Sequence, residues 1–297
     1  MEARYVVYGR LDSRETVALL SALRAKGLRA SRIDESPSLA FELAARTGRD
    51  RGPYLRTPEG FVLADLHAIL ESIERLHPEP VLLPPRQQPV RRVCARILEA
   101  WIESWLPIWP DRSWSPLERL GRHLEASRFL LGPQPTRPDW LLAAWLEVDV
   151  LAQPRARSHL ERHAPSLVGL GGELLAGAGA GGSSAEAGSA RDDAIPISLL
   201  PVLEEVASGF HAYLEANRLA LTTGGSEAAL EMPFGRRLFP VRFESEVRRR
   251  EIGCELAGLP EAARCAVRRV LDPVGARRVY LAPTALEPID PGDPRSL

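Results

Sequence analysis

Between Tyr5 and Leu76 the apolar residues switch between strand-like runs and helical spacing in the order strand, helix, strand, helix, strand, strand, helix. Tyr5 to Tyr8 is an apolar, β-branched run ended by Gly9, the profile of a short buried strand. Asp12 or Ser13 can cap the helix that follows, where Val17, Leu20 and Leu23 recur at helical spacing and Gly27 supplies the stop. A second strand is expected around Arg29 to Asp34, and Ser36-Pro37 opens a helix ending near Gly48. Two strands joined by a helix pair in parallel through a right-handed crossover. In "GPYLRTPEGFVLAD", Tyr54 to Thr57 and Phe61 to Leu63 are expected to form an antiparallel hairpin. The "TPEG" between them fits a type I turn, with proline second and glycine fourth. A helix from Asp65 to Leu76, with Ile69, Ile73 and Leu76 on one face, closes the unit.

Composition removes several function classes. The net charge is -1, with no basic field to advertise a nucleic-acid or anionic-membrane partner. The arginine clusters Arg248-Arg249-Arg250 and Arg268-Arg269 have acidic neighbours and are expected to be solvated helix faces. Of 38 basic residues only Lys26 is lysine. It is followed by Gly27 and Leu28, which excludes a Walker-type phosphate loop, and it closes a helix expected to be surface-exposed, which argues against Schiff-base chemistry. Three cysteines, Cys94, Cys254 and Cys265, lie far apart without a CxxC, arguing against a disulfide framework or zinc site and for a reducing compartment. The longest apolar run, Trp140 to Leu146, is far below the roughly 20 residues of a membrane span, so a soluble, cytoplasmic protein is expected.

Beyond Leu76, "HPEPVLLPPRQQP" has the composition of a stiff linker. Helical patterns follow at Val90 to Trp109, Pro116 to Leu131, Pro138 to Leu151 and Pro154 to His163. Gly169 to Ala190 has almost no large apolar side chain and is expected to be a disordered loop. A long helix is then expected from Ile197 to about Leu221, and a hairpin turning at Gly235 with Phe239, Val241 and Phe243 on one face. Helices near Glu244 to Ala257 and Pro260 to Leu271 follow.

From roughly Tyr5 to Ser166 these residues resemble the glutathione S-transferase superfamily. "YGRLDSRETV" sits where that family has an aromatic strand end, a short loop and a Ser-Pro or Cys-Pro; "GPYL" resembles its "VPVL", whose proline is cis. "ADLHAILESIERLHPEPVLLPP" is similar to its "ESxAILxYLxxxxP…LxP", and "FLLGPQPTRPDW" to its "FLxGxxPTxADxxL", including a capping box at Thr136 and Asp139. The resemblance implies an α+β chain. A thioredoxin-like domain over 1–77 is joined by a proline-rich linker, 78–90, to an all-helical domain over 91–168. A flexible Gly/Ala/Ser linker, 169–194, and a C-terminal α+β region, 195–297, follow.

It also implies glutathione as co-substrate, a small electrophile as second substrate, no metal, and a homodimer. In that reading Ser13 is the catalytic residue: a hydroxyl and free N–H groups at a helix N-terminus favour thiolate over thiol. Lowering the thiol pKa from about 8.5–9 towards 6–7 raises the nucleophilic fraction on the order of tenfold or more. Gly52, Pro53 and Tyr54 hold the cysteinyl unit, because a cis-proline turns the flanking peptide groups outward to pair with an extended ligand. Asp65, at a helix start, accepts the γ-glutamyl ammonium, and the backbone N–H of Leu66 donates to the γ-glutamyl carboxylate. Trp105 and Trp109 are candidates to line the second substrate's pocket.

The chain departs from the family at Leu66, where a serine hydroxyl is lost, at Arg14 in place of proline, and at Gly52 in place of a branched residue. Arg14, Arg49 or Arg51 is the candidate to compensate by gripping a ligand carboxylate. Ser13 and Asp65 are equally read as plain N-caps. A second function reading stays open: a non-catalytic protein of this fold, its glutathione site decayed, whose extension binds a protein partner. His159 and His163 share a helix face without a third ligand nearby and are not read as a metal site. Cys94 is read as a packed thiol.

Overall fold

In the computed structural model, residues 4–108, 114–175, 193–232 and 235–282 are described. The first strand, β1 (Tyr5–Tyr8), leads into α1 (Arg14–Ala25), whose N-cap Ser13 accepts from the Thr16 N–H. β2 (Ala30–Ile33) is followed by α2 (Pro37–Thr47), capped by Ser36 and stopped by Gly48 at φ 70°. β3 (Tyr54–Arg56) and β4 (Val62–Ala64) form the hairpin, and the Gly60 N–H closes its turn onto the Thr57 carbonyl. α3 (Leu66–Leu76) follows. The sheet order is β2-β1-β3-β4, with β1 parallel to β2 and antiparallel to β3.

Side-chain alternation assigns the two faces. Val6, Tyr8 and Tyr54 pack with Leu43 of α2 on one face. Val7 and Leu55 point to the other, where α1 and α3 pack. This is the expected thioredoxin-like α+β arrangement.

Beyond it the chain runs through α4 (Pro89–Ser104), α5 (Ser115–Ala126), α6 (Arg137–Trp145), a π-helical stretch (Leu146–Val150), α7 (Pro154–His163) and α8 (Pro165–Leu175). Then come α9 (Leu200–Glu205), a second π stretch (Val206–His211) and α10 (Ala212–Thr223). The hairpin β5 (Glu227–Met232) and β6 (Gly235–Pro240) precedes α11 (Phe243–Ala257), α12 (Glu261–Leu271) and α13 (Ala276–Leu281).

Two compact units result. One takes Met1–Leu83 with Arg128–Gly188; the other takes Pro84–Ser127 with Ser189–Ser296. In the first, α1 packs on α6 and α8 as well as on α3. The α6 start is held by the expected capping box: Asp139 accepts from the Thr136 N–H and hydroxyl, and also from the Leu130 N–H. In the second, α4 packs against α11 and α12, and α10 against β5.

Several expectations are corrected. Gly169 to Leu175 is helical, because Leu167, Leu170 and Leu174 are buried along one face and outweigh the glycine cost of about 1 kcal/mol each; Ala176 to Ala190 lies outside the described residues. The chain leaves the helical pattern at Ser127, so Phe129 to Leu131 are buried without being helical. Val241 and Phe243 are not strand residues, since β6 ends at Pro240 and Phe243 opens α11. In the proline-rich stretch after α3, Leu82 and Leu83 are buried, the Leu82 N–H donates to Glu74, and its carbonyl accepts from the Arg137 N–H.

Lys26 is not surface-exposed. Its side chain is 0% exposed, with Nζ 2.8 Å from Glu74 and 2.6 Å from the His77 carbonyl. Arg249 does not lie on a solvated face either: it forms a two-pronged pair with Glu246, and the two side chains are 1% and 0% exposed.

Candidate functional site

The strand register gathers the candidate loops. Ile33, Tyr8, Tyr54 and Ala64 form one row across the sheet. Glu35 lies just beyond β2, Ser13 follows β1, Gly52-Pro53 immediately precedes β3, and Asp65 immediately follows β4. All four therefore emerge at the same end of one sheet, in the lateral order Glu35, Ser13, Pro53, Asp65. Strands about 4.8 Å apart make that row roughly 14 Å wide, the reach of an extended tripeptide with a γ-linked first residue.

Each position has a local cause. Ser13 has extended backbone, φ -97° and ψ 121°, and caps α1 at 3.3 Å from the Thr16 N–H. Its hydroxyl donates to Glu15 Oε2 at 2.8 Å. Arg14 donates to Glu15 Oε1 at 3.1 Å and to Asp149 Oδ2 at 3.0 Å, so it is already engaged by two carboxylates. The Gly52–Pro53 bond is cis. Tyr54 is fully buried, its hydroxyl donates to the Arg49 carbonyl, and its pKa is raised, first by burial and then by the charges of Glu35 and Asp50.

Asp65 has φ 70° and ψ 117° and is the one non-glycine residue with positive φ among those described. Its Oδ1 accepts from the Ala68 N–H at 3.0 Å, so it is an N-cap. Such a backbone costs of order 1–3 kcal/mol and clusters at ligand-binding positions. Leu66 is buried at the first position of α3. Behind it, Arg137 donates to Glu71 and makes a 2.8 Å contact with His67 Nδ1, bracing α3 against α6.

Sequence reasoning missed Glu35. Its Oε1 is buried without a hydrogen-bond partner, and a Cβ on Gly52 would stand 2.5 Å from it. Burial raises the pKa of this carboxyl. Gly52 has no positive φ, and a side chain there would displace the Glu35 carboxyl. The readable signal was a glycine in the place where the family carries a branched residue.

Other candidates fall elsewhere. Trp105, expected to line a substrate pocket, is instead buried in the second unit, its ring 5.3 Å from Tyr213 and 5.2 Å from Phe239. The C-terminal extension supplies both partners. Trp109 lies outside the described residues. Cys94 is buried and its thiol is pushed up to about 12 by burial, with the charge of Asp193 adding to it. The His159 and His163 rings lie 4.5 Å apart. No cluster of three or more His, Cys, Asp or Glu side chains suited to a metal occurs among the described residues, and no helix among them is long and apolar enough to cross a membrane.

The element order and the sheet topology make residues 5–76 a thioredoxin-like domain, followed by a largely helical remainder. No family model and no curated protein matches the sequence. Among solved structures, the chain is similar to a glutathione S-transferase from Rhodospirillum rubrum, with 20% identity and a TM-score of 0.47 over 67% of this chain and 91% of that one. A Tau class enzyme from mango matches at 15% identity and a TM-score of 0.48, over 59% of this chain and 90% of that one. A rice glutathione S-transferase, solved in complex with glutathione, matches at 18% and 0.47, over 58% and 88%.

Proposed function

We propose that the loop end of the four-stranded sheet binds a glutathione-type thiol peptide and that the protein is a glutathione-dependent transferase. The observation that carries this reading is the shared row of Tyr8, Tyr54 and Ala64, which brings Ser13, Gly52-Pro53 and Asp65 to one end of one sheet. Asp65, fixed by its unusual backbone, accepts the ligand's ammonium; the Leu66 N–H donates to the neighbouring carboxylate; the backbone around Gly52 and Pro53 pairs with the cysteinyl peptide groups. The thiol then lies at the α1 N-terminus, where the Ser13 hydroxyl turns from Glu15 to the sulfur. The thiol proton leaves to solvent, and the sulfur lone pair attacks the electrophilic carbon while the leaving group departs with its bonding electrons.

Two observations favour the second reading, a non-catalytic protein with a decayed tripeptide site whose extension binds a protein partner. The Ser13 hydroxyl is committed to Glu15, and Trp105 is committed to packing with Tyr213 and Phe239. One experiment separates the two. Thermal unfolding is followed with several millimolar glutathione on the wild type, Ser13→Ala and Asp65→Ala, and turnover is then assayed with a model electrophile. Saturation at about 100 Kd raises stability by about 2.7 kcal/mol. A shift that Asp65→Ala abolishes, with turnover that Ser13→Ala reduces, supports the transferase. The shift without turnover keeps the peptide site and rejects catalysis, and no shift rejects the transferase and leaves the partner-binding protein with a decayed site.

A further inference from the structure

Glu35 has no part in the function proposed above, yet it stands in the same row. The order across the sheet puts Asp65 beyond β4 and Glu35 beyond β2, at opposite edges, with Ser13 and Pro53 between them. A thiol peptide whose ammonium meets Asp65 and whose cysteinyl unit lies at Gly52-Pro53 therefore directs its other end, the carboxyl terminus, towards Glu35. Glu35 Oε1 is buried and unpartnered, yet the residue as a whole keeps part of its surface exposed. It occupies the side-chain space of Gly52, the backbone with which the ligand pairs. The negative potential there is shared with Asp50, since both charges act on Tyr54. Arg14 does not reverse that sign, because it is engaged by Glu15 and Asp149.

Resting on the thiol-peptide reading, we propose that Glu35 makes the β2 side of the site a receptor for a hydrogen-bond donor or cation. The preferred ligand is then a thiol tripeptide whose terminal carboxyl is masked as an amide, above all one carrying an amine, rather than the free acid. A free carboxylate brought to an unpaired buried carboxyl is repelled and loses its hydration, whereas an amide N–H or an ammonium supplies the donor that Glu35 Oε1 lacks. Specificity arises here as much from rejecting the free acid as from binding the amide.

The test is calorimetric titration of the full chain with glutathione, with glutathione glycinamide, and with glutathione amidated by 1,3-diaminopropane. Wild type, Glu35→Gln and Gly52→Ala are compared, each checked for an unchanged fold by circular dichroism. The wild type is expected to bind the amide about tenfold more tightly than the free acid, and the amine conjugate more tightly again. Glu35→Gln should remove most of that preference by improving free-acid binding. Gly52→Ala, whose methyl group displaces the Glu35 carboxyl, should weaken it. Equal binding of acid and amide by the wild type, or the same preference in Glu35→Gln, overturns the inference and leaves the thiol-peptide site standing. Tighter binding of the free acid also overturns it and assigns that end to Arg49 or Arg51. Absence of binding by all three ligands to folded wild type and Glu35→Gln overturns the thiol-peptide reading itself, and this inference with it.

Discussion

Replacing Glu15 by glutamine is expected to lower the thiol pKa of bound glutathione. Glu15 Oε2 accepts from the Ser13 hydroxyl at 2.8 Å. A sulfur at hydrogen-bond distance from the same hydroxyl lies about 5–6 Å from that carboxylate. Two unit negative charges at this separation repel by about 3 kcal/mol at an effective dielectric of 20 and about 0.7 kcal/mol in bulk water. The Glu15 side chain is 40% exposed, so screening moves the figure towards the lower end. About 1 kcal/mol remains, equivalent to roughly 0.7 of a pKa unit. Glutamine preserves the volume and leaves the Ser13 cap on the Thr16 N–H in place, so charge alone changes. The assay is the thiolate absorbance of bound glutathione as a function of pH, in low salt, for the wild type, Glu15→Gln and Ser13→Ala. The thiol pKa should fall in Glu15→Gln, rise in Ser13→Ala, and the Glu15 effect should shrink in high salt. An unchanged pKa in Glu15→Gln at low salt refutes the placement of the sulfur at the α1 N-terminus.

Other perturbations test the second unit. Arg249→Met leaves Glu246, 0% exposed, without its partner and should cost about 3–5 kcal/mol in urea unfolding. The double variant Arg249→Met/Glu246→Leu should recover most of that loss, and a double variant no better than the single contradicts the buried-pair assignment. His211 is buried against Tyr280, and burial lowers its pKa to about 4. The unfolded chain takes up a proton near pH 6.5 that the folded one refuses, so stability present above that pH is lost as pH falls towards 4, by about 3 kcal/mol in total. His211→Gln should flatten this slope in acid-unfolding curves. A thiol reagent should modify the exposed Cys254 and Cys265 in the native protein and reach the buried Cys94 only on unfolding.

Much of the fold was legible because its cues are local. Ser13, Ser36 and Asp65 cap the helices they precede, Gly48 stops α2 in the left-handed conformation, and Thr136 with Asp139 builds the capping box three residues apart. Each relation spans one helical turn, so the residues that make it are neighbours in the chain. The hairpin at "TPEG" is of the same kind. What misled was composition. The glycines of 169–172 argued for a loop, but leucines spaced along α8 are buried, and burial outweighs propensity. Three consecutive arginines argued for a solvated face, but Arg249 finds Glu246 one turn earlier and the carbonyls of Val279 and Ala282 on a distant segment.

The candidate site divides in the same way. The sequence by itself determined the order of strands and helices, the caps that end them, and therefore the positions of Ser13, Pro53 and Asp65 relative to their own elements, since period, capping and turn chemistry act over a few residues. Only the tertiary structure decided what those positions face. The pairing of β1 with both β2 and β3 aligned the loops in one row, the Glu35 carboxyl took the space left by Gly52, Glu15 claimed the Ser13 hydroxyl, and Phe239 and Tyr213 enclosed Trp105. Most of these juxtapositions join residues far apart in the chain, and even Glu15, two residues from Ser13, chose its rotamer in company with Arg14 and Asp149. Electrostatic and packing free energies depend on distance in space, which local sequence pattern does not encode.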